Sequence, residues 1–159
     1  MKLRRLHLLA FGPFTDRTLD FGDAATGLVV IHGPNEAGKS SALRAMADLR
    51  FGIPEKSTDN FRHEHPAMLI GGDFVDRHGH SHSLLRRKGR GTTLSIATRV
   101  DGKPRPGDSA DAQIQALLDC GLTRPIYEAM FGLDHQRLRD GGAALLRGEG
   151  DIGAALFEA

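Results

Sequence analysis

Apolar-rich stretches at roughly 2–10, 17–21 and 27–32 read as three extended segments, punctuated by turn signals at Gly12-Pro13 and Gly22-Asp23. The third, Gly27-Leu28-Val29-Val30-Ile31-His32, is an uninterrupted run rich in β-branched residues, which predicts a central strand covered on both faces. The period then changes. Ala42, Ala45, Met46 and Leu49 recur at helical spacing, predicting an amphipathic helix over 39–50 that Gly52 and Pro54 stop. Residues 55–66 are polar and irregular. Strand signals resume from 68 to 101: segments 68–76 and 81–87 flank a turn around His78-Gly79-His80, and 92–100 ends in the hairpin signal Asp101-Gly102. That pattern predicts an antiparallel meander inserted into an α/β protein. After a loop at 104–108, Ser109 is the predicted N-cap of a helix carrying Ile114, Leu117 and Leu118, closed by Gly121. Further helices are predicted at 125–131, after Asp134, and after Asp151 with Ile152, Ala155 and Leu156.

Composition narrows the class without naming a function. A length of 159 residues, 40% of them hydrophobic and 26% charged, suits one globular domain. No internal repeat or linker marks a second. A formal net charge of +1 means that any nucleic-acid role must come from a local patch. One cysteine, Cys120, excludes an intramolecular disulfide and fits a reducing cytosol. The basic, then apolar N-terminus is too short for a signal sequence, is interrupted by His7 and lacks a small-residue cleavage site. No stretch approaches the roughly 18 apolar residues of a membrane span. A soluble cytoplasmic protein with no membrane partner is expected.

The chemistry lies in Gly33-Pro34-Asn35-Glu36-Ala37-Gly38-Lys39-Ser40, which fits the Walker A pattern G-x-x-x-x-G-K-[ST]. Glycines let successive backbone N–H groups turn toward phosphate oxygens, and the following helix N-terminus adds partial positive charge. Lys39 would neutralise β- and γ-phosphate oxygens, and the Ser40 hydroxyl would coordinate magnesium. A strand-like run before the loop and an amphipathic helix after it supply the expected context. ATP with Mg²⁺ is the expected ligand. GTP is disfavoured because neither Asn35 nor Asn60 sits in an Asn-Lys-x-Asp base-reading motif, and Asp76-Arg77-His78-Gly79 falls at a predicted hairpin tip. No apolar strand ends in the acidic Walker B pair. Ala116-Leu117-Leu118-Asp119 comes nearest, on a helical stripe.

Beyond the Walker A loop, several segments carry a family likeness. They are Leu3-Arg4-Arg5-Leu6-His7-Leu8-Leu9-Ala10-Phe11-Gly12-Pro13-Phe14, the loop extended through Ser41-Ala42-Leu43, Phe51-Gly52-Ile53-Pro54, Arg86-Arg87-Lys88-Gly89 and Met130-Phe131-Gly132-Leu133-Asp134-His135. Over nearly its whole length the chain resembles the N-terminal half of the ATPase head of SMC and SbcC-type double-strand-break-repair ATPases, and among them the YhaN-like branch of AAA-type ATPases. The resemblance implies an α/β P-loop NTPase fold: the N-terminal lobe of an ABC-type head with an antiparallel β meander and a following helical segment. It implies one half-head over 1–159: strands, P-loop and first helix over 1–54, the antiparallel region over 55–103, helices with a Q-loop-like region over 104–150, and the start of a helix leading to a coiled coil over 151–159. The second half, beyond that coiled coil, would bring the Walker B carboxylates and signature motif, so ATP hydrolysis is expected of the intact protein.

The implied partners are ATP, the C-terminal half-head, a second copy through ATP-sandwiched heads, double-stranded DNA and a partner nuclease. Carried over residue by residue, the nucleotide-binding set is Gly33, Pro34, Asn35, Glu36, Ala37, Gly38, Lys39, Ser40 and Ser41, with Arg62 and His63 from the loop at about Phe61-Arg62-His63 that would reach the nucleotide before the meander. The catalytic set is Lys39 with His135 and Gln136, where the Q-loop register falls on Asp134-His135 and Gln136 stands one place off. A basic residue that often follows the first-strand Phe is Gly12 here.

Other features have two readings each. Arg86, Arg87, Lys88 and Arg90 form the densest basic run, suited to DNA or nucleotide phosphates or to guarding a strand edge. His80 and His82 would share a strand face within reach of zinc, or form a polar hairpin tip with His78. Phe11 and Phe14 read as core rather than base-stacking residues. Cys120 has no charged activator. The rival functions are a small-molecule or nucleotide kinase using the same loop, and a non-hydrolysing nucleotide-gated interaction module.

Overall fold

The computed structural model describes residues 1–22 and 28–132, with Arg139 and Ala143. The chain divides into two compact units, Met1–Arg124 and Pro125–Ala159. In the first unit β1 (Lys2–Phe11) and β2 (Phe14–Asp20) form a hairpin, followed by α1 (Lys39–Phe51). A short 3₁₀ turn at His65–Ala67 leads to β3 (Leu69–Val75), β4 (Ser81–Arg87), β5 (Leu94–Val100) and β6 (Lys103–Ser109), then α2 (Ala112–Asp119). Helix α3 (Arg124–Phe131) carries the chain into the second unit, where the Tyr127 and Phe131 rings, one helical turn apart, have centroids 5.4 Å apart. No described helix is long and apolar enough to cross a membrane.

All six strands form one sheet in the order β2-β1-β3-β4-β5-β6, every neighbouring pair antiparallel. The expected meander is therefore the continuation of a sheet that begins at residue 2, not an insertion. Residues 104–108, expected as a loop, lie in β6. Pro104 and Pro106 hid that strand, but an edge strand tolerates proline because one side of its backbone needs no ladder partner.

The larger correction concerns 27–32. Its described residues, 28–32, form no strand, and Leu28 and Val30 are 88% and 68% exposed. A run apolar on both faces becomes a central strand only when neighbours supply hydrogen bonds along both edges and apolar cover on both sides. Among the described residues every strand is already committed to the antiparallel sheet, and none pairs with this run.

Alternation along each strand separates two sheet faces. Leu6, Leu8, Ile70, Phe74 and Leu84 meet Ala42, Ala45 and Leu49 of α1 in the core, with Phe11, Met68, Leu94 and Leu118. The stripe read from the sequence is thus the packed face of α1. Burial of such side chains contributes about 1.5–3 kcal/mol each for the larger ones.

Arg86 sits on this packed face at 5% exposure. Its guanidinium donates to the carbonyls of Leu49 (3.1 Å) and Arg50 (3.0 Å), to Gln115 Oε1 (2.7 Å) and to Thr93 Oγ1 (3.2 Å). It thereby satisfies carbonyls that the end of α1 leaves without intrahelical partners. Burial, then the charge of Arg124, lowers its pKa to about 10. Arg86 thus leaves the expected phosphate- or DNA-contacting set: the structure commits it to joining sheet, α1 and α2.

On the opposite face Asp73 gathers cations. Its Oδ1 accepts from Ser83 Oγ (2.7 Å), and its Oδ2 lies 3.3 Å from Arg99, 3.2 Å from His7 Nε2 and 3.7 Å from Arg5. The His7 contact has ion-pair distance without hydrogen-bond alignment, while His7 Nδ1 meets Thr18 Oγ1 at 2.9 Å. Burial pushes the Asp73 pKa up, but the Ser83 hydrogen bond and the charges of His7 and Arg99 outweigh it and leave the pKa lowered. The edge strands also meet, through Lys103 and Asp16 at 2.9 Å.

Two outcomes are expected. Arg86→Met should lower unfolding free energy by about 2–4 kcal/mol in urea titrations, because carbonyls lose charged donors in a buried site. For Asp73 the sign follows from its lowered pKa: the ionised form stabilises the fold above the ordinary carboxylate range, and that contribution disappears as pH falls through the folded-state pKa. The stability gap between wild type and Asp73→Asn, read from urea midpoints, should be largest near neutrality and shrink by about pH 3.

Candidate nucleotide-binding site

The Walker A loop runs without regular structure into α1, which starts at Lys39. Gly38 is the helix N-cap at φ 90°, ψ 14°, in the left-handed region, and no side chain caps it. The first N–H groups of α1 therefore have no capping side chain in front of them. A Cβ on Gly38 would stand 2.7 Å from Pro13 Cγ and 2.8 Å from Phe14 Cε2. Positive φ and this crowding both require glycine there. The loop is thus packed against the β1–β2 turn.

A second close approach lies beneath it. A Cβ on Gly12 would stand 2.8 Å from Ser41 Oγ, and Gly12 N–H donates to the Asp59 carbonyl at 2.8 Å. Asp59 is 2% exposed and takes a two-pronged ion pair from Arg44 of α1, at 2.6 and 2.7 Å. Arg44 also donates to Ser41 Oγ at 3.1 Å. Further along that loop, Arg62 donates to the Pro13 carbonyl (2.9 Å), and His63 Nε2 lies 2.8 Å from the Phe14 carbonyl oxygen. The β1–β2 turn, the first turn of α1 and the 59–63 loop are thereby tied together.

These elements surround an open cavity of about 640 Å³ lined by Pro13, Asn35, Glu36, Gly38, Lys39, Ser40, Ser41 and Phe61. Its volume lies within the range of small-molecule sites. Lys39 Nζ folds back onto the carbonyls of Gly33 (2.9 Å) and Pro34 (2.7 Å), a position from which the ammonium would exchange carbonyl oxygens for phosphate oxygens. Ser40 is exposed on the same first turn, which leaves its hydroxyl available to a cation beside a phosphate.

Of the expected nucleotide residues, Asn35, Glu36, Gly38, Lys39, Ser40 and Ser41 line the cavity, whereas Gly33, Pro34 and Ala37 are not part of its lining. The buried Ser41 side chain is already engaged by Arg44. Arg62 and His63 hold the β1–β2 turn instead of lining the cavity. Asp134, His135 and Gln136 fall outside the described residues. Phe61, from the loop expected to reach the nucleotide, does line the cavity, whereas Pro13 and the Asp59–Arg44 pair were missed by sequence reasoning. Asp59 lies in an irregular polar stretch where periodicity gives no signal, although Pro13 stood in a recognised turn.

Elsewhere, Lys88 Nζ is bound to the carbonyls of Pro54 and Glu55, while Arg90 is 97% exposed and 3.8 Å from Glu55. Arg87 is exposed and donates to the Thr92 carbonyl. At the β3–β4 turn Asp76 Oδ1 accepts the backbone N–H groups of His78 and His80, and its Oδ2 lies 3.1 Å from His80 Nδ1 and 3.3 Å from His82 Nε2. Burial opposes ionisation of Asp76, but hydrogen bonds from His80, His78 and His82 dominate and hold its pKa well below the usual carboxylate range. Among the described residues no group of three or more His, Cys, Asp or Glu side chains is arranged to hold a metal.

The AAA domain family matches residues 1–159. The chain belongs to that family. This AAA domain is also similar to the uncharacterized protein YhaN of Bacillus subtilis (strain 168), at 28% identity over 137 residues. That match covers 84% of this chain and 13% of the Bacillus protein. Membership assigns the chain to the nucleotide-binding ATPases and agrees with a Walker A motif at the start of α1.

Gly38→Ala tests the packing directly. Left-handed strain together with the Pro13 and Phe14 contacts should lower unfolding free energy by about 1–3 kcal/mol, measured by urea denaturation. Unchanged stability would contradict the close approach of loop and turn.

Proposed function

We propose that this AAA domain is the ATP-binding N-terminal part of an ATPase head of the SMC and SbcC kind. The carrying observation is the placement of Lys39 and Ser40 together on the first turn of α1, at a cavity large enough for a nucleotide. Lys39 would exchange the Gly33 and Pro34 carbonyls for β- and γ-phosphate oxygens, and the N-terminal N–H groups of α1 would face the same anion. The exposed Ser40 hydroxyl would help hold Mg²⁺, which would supply positive charge beside the phosphates.

Hydrolysis belongs to a larger assembly in this reading. Asp119, the nearest Walker B-like carboxylate, ends α2 rather than a strand, and the exposed Leu28–Ile31 run next to the Walker A loop has the composition of a strand awaiting neighbours. The C-terminal half-head would supply those neighbours and the water-orienting carboxylate. His135 and Gln136 remain the candidate Q-loop residues, and two heads would sandwich ATP. Coupling to DNA and double-strand-break repair would use backbone contacts, for which Arg87 and Arg90 are the accessible members of the basic run. A kinase would need a lid over its acceptor. The 68–101 region gives no such element, since β3 and β4 are interior strands of the sheet.

Lys39→Ala should abolish MgATP binding by calorimetry; unchanged affinity would refute the phosphate role of the loop. The 159-residue chain alone should show negligible phosphate release, recovered when the rest of the polypeptide is present. Robust turnover by the chain alone would overturn the split-head reading.

A further inference from the structure

We propose that a second cavity, at the opposite end of α1 from the phosphate loop, is an effector site for a small organic anion with an apolar body. This cavity is open, about 390 Å³ in volume, and its walls include Ile53, Glu55, His65, Pro66, Lys88 and Arg90. None of these residues lines the nucleotide cavity. Its volume lies within the range of small-molecule sites. The walls combine two chemistries. The buried Ile53, at the margin of the core, and Pro66 supply apolar surface. Lys88 and Arg90, from the turn between β4 and β5, supply two positive charges against the single carboxylate of Glu55. That turn is firmly held: the Arg87 N–H donates to the Thr93 carbonyl and the Lys88 N–H to the Met68 carbonyl, both at 3.1 Å. Lys88 Nζ is fixed on the carbonyls of Pro54 and Glu55. Arg90, by contrast, stands 3.8 Å from Glu55, and both side chains are almost fully solvated. Such a pair is weak, so a ligand carboxylate can take Arg90 at little cost. A cation would meet excess positive charge, and a neutral apolar molecule would leave those charges unused. An apolar acid satisfies both.

The position of this cavity gives its ligand a route to the nucleotide. Glu55, His65 and Pro66 stand at the two ends of the 55–66 segment. The middle of that segment braces the mounting of the phosphate loop. Asp59 holds Arg44 and the Gly12 N–H, Arg62 donates to the Pro13 carbonyl, and His63 meets the Phe14 carbonyl. His65 Nε2 lies 3.4 Å from the Ser57 carbonyl, so the segment also folds back on itself. A ligand seated between Glu55 and Pro66 fixes both ends of the segment. It thereby steadies the β1–β2 turn against which Gly38 packs. Less is then left to order when MgATP binds, so the effector tightens the nucleotide. By linkage, MgATP tightens the effector by the same factor. This coupling rests on the nucleotide reading of the first cavity, whereas the ligand chemistry of the second does not.

The test titrates the full-length protein with 3-phenylpropionate by ligand-observed NMR. Acetate, which lacks the apolar body, and 3-phenylpropionamide, which lacks the charge, are the controls. The phenylpropionate should bind about 10-fold or more tighter than either control. Arg90→Glu, a change at an exposed side chain, should reduce it to the level of the amide. Equal binding of acetate would mark a bare charged patch, and equal binding of the amide a merely apolar pocket. Either result overturns the proposal, as does undiminished binding by Arg90→Glu. Calorimetry then measures MgATP with and without saturating phenylpropionate. Its affinity should rise about 5-fold or more in wild type and lose that rise in Arg90→Glu. Probe binding that leaves MgATP affinity unchanged would overturn the effector role. If MgATP fails to bind at all, the nucleotide reading fails and the effector role with it, while the NMR titration still decides the ligand chemistry of the cavity.

Discussion

The phosphate end of this domain depends on how closely the first turn of α1 approaches the β1–β2 turn. Gly38 and Gly12 make that approach possible, one against Pro13 and Phe14 and the other against Ser41. Neither could carry a Cβ without something moving. Because the turn is continuous with two strands of the sheet and α1 is fastened to the same sheet by Leu49, Ala45 and Ala42, the loop between them inherits a fixed geometry. A phosphate site gains from such a mounting, because charged donors already in place need no reorganisation when the anion arrives.

The two ends of α1 are held by different means. At its C-terminal end the buried Arg86 supplies donors to helix carbonyls and reaches Gln115 of α2. Near its N-terminal end the buried carboxylate of Asp59 does the reverse, taking Arg44 from the helix surface. Both are charged groups withdrawn from water and paired to protein, an arrangement costly to disrupt on one side alone. They fix the axis of the helix relative to the sheet more sharply than the apolar stripe could, since alanine and leucine contacts are non-directional.

The sheet itself has an apolar face under α1 and a polar face where Asp73 collects Ser83, His7, Arg99 and Arg5. The exposed Leu28–Ile31 run stands outside this economy of paired groups.

Much of the local order was legible in the sequence. The helix of 39–50, the strands near 2–10 and 81–87, the helical setting of Asp119 and the end of α1 at Gly52 all follow from periodicity and glycine placement, which act over a few residues. The Walker A loop was legible because its chemistry demands fixed residue types at fixed spacing. Tertiary structure alone decided the rest. Residues 28–32 have the composition of a central strand, yet strand formation needs partners, which local sequence does not specify. Arg86 and Arg87 are adjacent arginines in one basic run, and only the pleat of β4 sends one beneath α1 and the other to solvent. Asp59 lies in a stretch with no period, so its place beside α1 depended on long-range contacts that pair distant segments of the chain.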